Sequence, residues 1–90
     1  MRIKYADQAV NDLKNFNAAD RTLIVKKLHY IAENFELLKQ SKKVRELKGT
    51  KFPSQYRYTI ARRIRAIFRI ENNAIVMLVL RIGRRKDVYS

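Results

Sequence analysis

The chain has no cysteine among its 90 residues, one histidine, two glycines, one proline, and only eight acids against twenty-one lysines and arginines. Without cysteine there is neither a disulfide framework nor a thiolate metal site, and a reducing, cytoplasmic setting is the expectation. His29 stands alone in a helical stretch beside Leu28 and Tyr30, where a histidine is ordinarily structural or solvated, so no metal-ligating set emerges. Gly49 and Gly83 cannot build a phosphate-cradling loop, which needs several glycines in a short run. Asp7, Asp12, Asp20, Glu33 and Glu36 are scattered over helix caps and faces, which argues against a paired-carboxylate hydrolase. No apolar signal core opens the chain, and its longest apolar run, Ala74 to Leu80, is far too short to cross a bilayer.

What is present is enough for one core. An apolar fraction of 47% and the absence of repeats make residues 1–90 a single domain. Arg2 to Tyr5 alternate as a short half-buried strand does, with Ile3 and Tyr5 on one side. Asp7 is a candidate cap for a first helix carrying Val10, Leu13 and Phe16, and Asn17-Ala18-Ala19 closes it. Asp20 then caps a second helix whose stripe, Ile24, Leu28, Ile31, Phe35 and Leu38, recurs every three or four residues. Residues 39–53 read as a basic loop with one short ordered piece, punctuated by Gly49 and Pro53. Alternation resumes at Tyr56, Tyr58 and Ile60, and again at Ile64, Ala66, Phe68 and Ile70 after a tight turn near Arg62. Glu71-Asn72-Asn73 supplies the chemistry of a two-residue hairpin turn, and a last strand, Ala74 to Ile82, is apolar on both faces as a central strand is. The expected fold is α+β: strand, helix, helix and a three-stranded meander, with both helices on one face of a four-stranded sheet.

Charge is distributed unevenly over that fold. Residues 42–90 hold fourteen Lys or Arg and only Glu46, Glu71 and Asp87 as acids, a balance of +11, whereas the first 41 residues hold +2. Alternation sends Arg63, Arg65 and Arg69 to the face away from the helices, and Arg57 joins them from the neighbouring strand. A surface built only for solubility mixes signs, so a positive sheet face points to a polyanion, RNA or DNA first. Tyr56, Tyr58, Phe68 and Phe52 read as core or sheet packing. Tyr89 lies beyond the last strand among Arg84, Arg85 and Lys86, and an aromatic among cations suits recognition of a single strand, the bland alternative being that it pins the tail to the sheet.

Three segments in this order, Glu46-Leu47-Lys48-Gly49, Ile64-Arg65-Ala66-Ile67-Phe68-Arg69-Ile70 and Arg81-Ile82-Gly83-Arg84-Arg85-Lys86-Asp87-Val88-Tyr89, resemble the RelE/ParE superfamily of toxin–antitoxin toxins, and within it the RelE-like ribosome-dependent messenger RNA endonucleases. The likeness extends over nearly the whole chain. It implies a RelE-like fold, cleavage of the codon in the ribosomal A site by 2′-hydroxyl attack on the adjacent phosphate, no metal or cofactor, and silencing by an antitoxin with an acidic, partly disordered segment. It further implies that Arg65 contacts the scissile phosphate, that Arg85 and Tyr89 belong to the site, and that Arg57 stands where relatives have a catalytic lysine. Arg84 occupies a position that is histidine in many relatives, so the implied proton carriers become Lys48, Lys51 or Tyr89. Lys48, Lys51, Arg63, Arg69, Arg81, Arg84 and Lys86 would hold RNA or ribosome. A ParE-like inhibitor of DNA gyrase and a catalytically inactive RNA-binding module remain the alternatives.

Overall fold

The computed structural model describes residues 1–49, 54–61 and 63–84. Their order is β1 (Arg2–Tyr5), α1 (Asp7–Lys14), α2 (Ala18–Gln40), β2 (Val44–Glu46), β3 (Gln55–Ala61), β4 (Ile64–Glu71) and β5 (Val76–Arg84). The strands form one sheet in the order β1-β5-β4-β3-β2, with β1 parallel to β5 and the remaining pairs antiparallel. The architecture is thus the expected α+β arrangement with β5 inside the sheet. It has five strands rather than four, because the short ordered piece in the basic stretch is an edge strand, Val44–Glu46, paired with Tyr56–Tyr58. Three residues are too few for alternation to register in the sequence.

The stripe of α2 is the spine of the core. Ile24, Leu28 and Ile31 are fully buried and Phe35 and Leu38 nearly so, against Ala66, Phe68, Met77 and Val79 of the sheet. Phe35 meets the Tyr56 ring edge-on at 5.1 Å, and Tyr56 stacks beside Phe68 at 5.9 Å, so these aromatics are packing residues, as expected. At Asn34, α2 kinks (φ −127°, ψ 26°), where the Asn34 side-chain amide donates to the Tyr30 carbonyl at 3.0 Å. That bond replaces part of the helical ladder and bends it.

Several local expectations shift. The cap of α2 is Asn17, not Asp20: the Asn17 side-chain oxygen accepts from the Asp20 N–H at 2.8 Å, and Asp20 sits in the first turn, where the helix dipole favours its charge. Ala6, not Asp7, precedes α1. Val10 is 41% exposed, because α1 turns Ala9 and Asp12 inward instead. The β4–β5 connection is longer than a two-residue turn. Glu71 pairs with Val76, and Asn72, Asn73 and Ala74 between them all take positive φ, a conformation Asn tolerates well and Ala poorly.

Candidate nucleic-acid interface

Register decides which side chains meet on the face away from the helices. Directly paired residues share a face. One row therefore runs Arg45, Arg57, Ile67, Arg81, and a second, two residues further along the strands, runs Thr59, Arg65, Gly83. Ile67, flanked by Arg57 and Arg81, is only 8% exposed, consistent with aliphatic arginine stems lying along it. Together Lys42, Lys43, Arg45, Arg57, Tyr58, Thr59 and Arg65 line a pocket of about 410 Å³. Five of these seven are cationic, and among the described residues none lining the pocket is acidic. Glu46, the nearest acid in sequence, pairs with buried Tyr56 and so leaves β2 on the opposite face from Arg45.

Like charges gathered around one pocket repel. A second penalty is visible at Arg65, whose Nε is buried and finds no hydrogen-bond partner among the described residues. A third lies in Lys42. Its N–H donates to Lys39 O at 3.1 Å and the Lys43 N–H donates to Leu38 O at 3.0 Å, a Schellman ending of α2 that puts Lys42 at φ +63°, the position glycine usually fills. The turn delivers Lys42, Lys43 and Arg45 to the pocket, and Arg45 Nε donates back to Lys42 O at 3.2 Å. Repulsion, an unsatisfied donor and a strained lysine converge on one concavity, a pattern expected where an anionic ligand supplies what the protein lacks. Burial, with Tyr30 adding to it, pushes the Tyr58 hydroxyl above its ordinary value, so it stays protonated at neutral pH.

The other expected site residues go elsewhere. Arg69 is held by Glu71 at 2.7 Å. Arg63 is exposed at the β3–β4 turn and Lys48 at the bend after β2. Arg81 Nε donates to Asp12 Oδ2 at 2.9 Å, and the same oxygen accepts the Ile82 N–H at 2.9 Å. Arg84 pairs opposite Ile64, on the helix side of the sheet, and its guanidinium lies 6.0 Å over the Phe16 ring. Lys51, Arg85, Lys86 and Tyr89 lie outside the described residues. Sequence reasoning missed Lys42, Lys43 and Arg45, which read as loop; the signal available was the charge run itself. It also missed Asp12, which α1 buries against the end of β5. Among the described residues there is no cluster of three or more potential metal ligands and no helix long and apolar enough to cross a membrane.

An α+β domain of two helices on a mixed five-stranded sheet, with a cationic pocket on the open face, is the form of a small toxin of a toxin–antitoxin system. The chain belongs to the family described as ParE toxin of type II toxin–antitoxin systems, parDE, whose model matches residues 3–89. Among solved structures it is similar to the toxin–antitoxin complex RelBE2 from Mycobacterium tuberculosis, at 13% identity and a TM-score of 0.73 over 93% of this chain and 96% of that one. It is also similar to the intact E. coli RelBE complex, at 17% identity and a TM-score of 0.70 over 92% and 94%. The archaeal RelE–RelB complex from Pyrococcus horikoshii gives 22% identity and a TM-score of 0.69 over 93% of both chains. At these identities the likeness concerns the fold. No curated protein matches the sequence.

Proposed function

We propose that this toxin is a ribosome-dependent messenger RNA endonuclease, acting by attack of a 2′-hydroxyl on the adjacent phosphate. The observation that carries the reading is the Nε of Arg65, buried and without a hydrogen-bond partner among the described residues, in a pocket lined by four further cations. Such cleavage needs in-line positioning, stabilisation of charge growing on the phosphorus oxygens, and movement of two protons. Guanidinium forks match phosphate oxygens and suit the second need, which falls to Arg65 and Arg57. Neither is a base, because a guanidinium carries its charge permanently and has no lone pair to accept a proton. Proton transfer, ordinarily contributing something like 10²- to 10⁴-fold, falls to Lys48, Lys51 or Tyr89, with Arg85 adding charge and Tyr89 stacking on a base. Arg63, Arg84 and Lys86 hold RNA or ribosome. Arg69 and Arg81 do so less directly, each being engaged by an acid of this chain. The antitoxin is proposed to present an acidic, partly disordered segment.

A ParE-like gyrase inhibitor is the second reading, favoured by the family description itself. One experiment separates the two. Purified toxin is added to translating ribosomes with mapping of new messenger RNA ends, and in parallel to a gyrase supercoiling reaction. New ends within the A-site codon support the first reading; intact messenger with blocked supercoiling supports the second.

A further inference from the structure

The pocket is larger and more highly charged than one phosphate requires. At about 410 Å³ it is within the range of sites that enclose whole small molecules, roughly 300–1,000 Å³, and a single phosphodiester would fill a fraction of it. One phosphodiester also brings one negative charge, against five lining cations. The cations are arranged in space to match a longer ligand. Arg57 and Arg65 stand on β3 and β4, whereas Arg45 stands on β2 with Lys43 just before it, so the two pairs are offset across the strands by about one and a half strand spacings, roughly 7 Å. That is close to the separation of successive phosphates along an extended single strand. We propose that the pocket holds two successive phosphates of single-stranded RNA, one on Arg65 and Arg57 and the next on Lys43 and Arg45.

The assignment rests on the reading of the chain as an RNA-cleaving toxin, and it adds a subsite built from β2 and the turn before it. It gives a role to the strained ending of α2. Lys42 at φ +63° turns the chain so that Lys43 and Arg45 flank the pocket rather than continue the helix. It also explains why Glu46 leaves on the opposite face, since an acid beside Arg45 would compete with the second phosphate. The neighbouring phosphate would fix the strand's path through the pocket, orienting the linkage on Arg65 before chemistry begins. An acidic segment of a protein partner is the competing occupant.

The test uses the full chain and a 2′-O-methyl trinucleotide, which has two charged linkages and cannot be cleaved by 2′-hydroxyl attack. Two further probes each carry one uncharged methylphosphonate linkage in place of one of the two. Wild type is expected to bind the doubly charged form roughly tenfold more tightly than either singly charged form, with a slope of log affinity against log salt steeper by about 0.7. The variant Lys43→Ala/Arg45→Ala removes two exposed side chains, so its melting temperature should match wild type. It is expected to bind all three probes alike. If it keeps the wild-type preference for two charges, the second subsite is wrong while the nuclease reading stands. If wild type binds none of the probes and cuts no message on ribosomes, both fall together. Should a decaglutamate peptide lose affinity in the double variant while the trinucleotides do not, the surface belongs to an acidic protein segment and the assignment is overturned.

Discussion

A donor buried without an acceptor costs a protein roughly 1–3 kcal/mol, and among the described residues Arg65 Nε is such a donor. Replacing Arg65 with alanine should therefore leave the melting temperature unchanged or higher. Codon cleavage should fall on the order of 10²- to 10³-fold, as loss of one donor to a developing oxyanion does. Measuring both on one preparation is decisive: a variant that cuts at the wild-type rate removes Arg65 from the chemistry. The role of Tyr89 rests on sequence and family resemblance alone. If its ring stacks on a base, Tyr89→Phe should retain ribosome binding and Tyr89→Ala should lose about 1–3 kcal/mol of it. Slow cleavage by Tyr89→Phe at normal binding would assign the hydroxyl to proton movement. A lowered melting temperature of Tyr89→Ala with unchanged cleavage would make Tyr89 a tail anchor instead. Alternation is enough to place Arg65 on the open face with Arg63 and Arg69, and the family resemblance singles it out among them. Neither is enough for Asp12, since nothing in Val10-Asn11-Asp12-Leu13 announces a partner some 70 positions away.

Asp12 acts where elements join. β1 ends at Tyr5, paired with Val79, and beyond that point no strand among the described residues lies beside that edge of β5. A register shift between the Ile67 and Phe68 pairs lets the chain of β5 turn there, and the Ile82 N–H finds the Asp12 carboxylate. Burial pushes that carboxyl up, but the Ile82 N–H, the Arg81 guanidinium and the Gln8 amide outweigh it and hold it below its ordinary value. Asp12→Ala should cost on the order of 2 kcal/mol by stranding the Ile82 N–H. A carboxylate with a depressed folded pKa contributes stability that is present above its unfolded value of about 3.9 and is lost as pH falls through the folded one. The stability gap between wild type and Asp12→Ala, followed by denaturant unfolding, should hold constant from neutral pH to about pH 5 and narrow below about 4. A gap independent of pH would remove the carboxylate charge from the account. At the other end of the sheet, Lys42→Gly should relieve a left-handed lysine and raise stability by about 1 kcal/mol, while weakening RNA binding through the lost charge. If Lys42→Gly is destabilising, the backbone at that position is not under strain.

Over the whole molecule, a formal charge of +13, with five cations lining one pocket of the open sheet face, should govern encounter. Exposed charges are screened over roughly 8 Å at physiological ionic strength, so the association rate with an acidic antitoxin segment should fall steeply as salt rises. An antitoxin that associates equally fast in high salt would leave the positive face to RNA alone. That face illustrates how far each level of information reaches. The stripe of α2, the alternation of β3 and β4 and the interior place of β5 were legible in the sequence, because burial against one partner layer imposes a period of 3.6 or 2 on whatever residues are used. The concentration of positive charge in residues 42–90 was legible too, since it needs only counting. Three things were decided in space. The three-residue strand β2 exists because β3 offers it an edge, and with it Lys43 and Arg45 enter the pocket. The bulged end of β5 sends Arg84 to the helix side, and Asp12 engages Arg81, dividing a run of arginines that looks uniform in sequence. Periodicity is a local property that each element carries within itself, whereas register, edge pairing and the sorting of like charges between faces depend on residues far apart in the chain and take form only when the sheet closes on its helices.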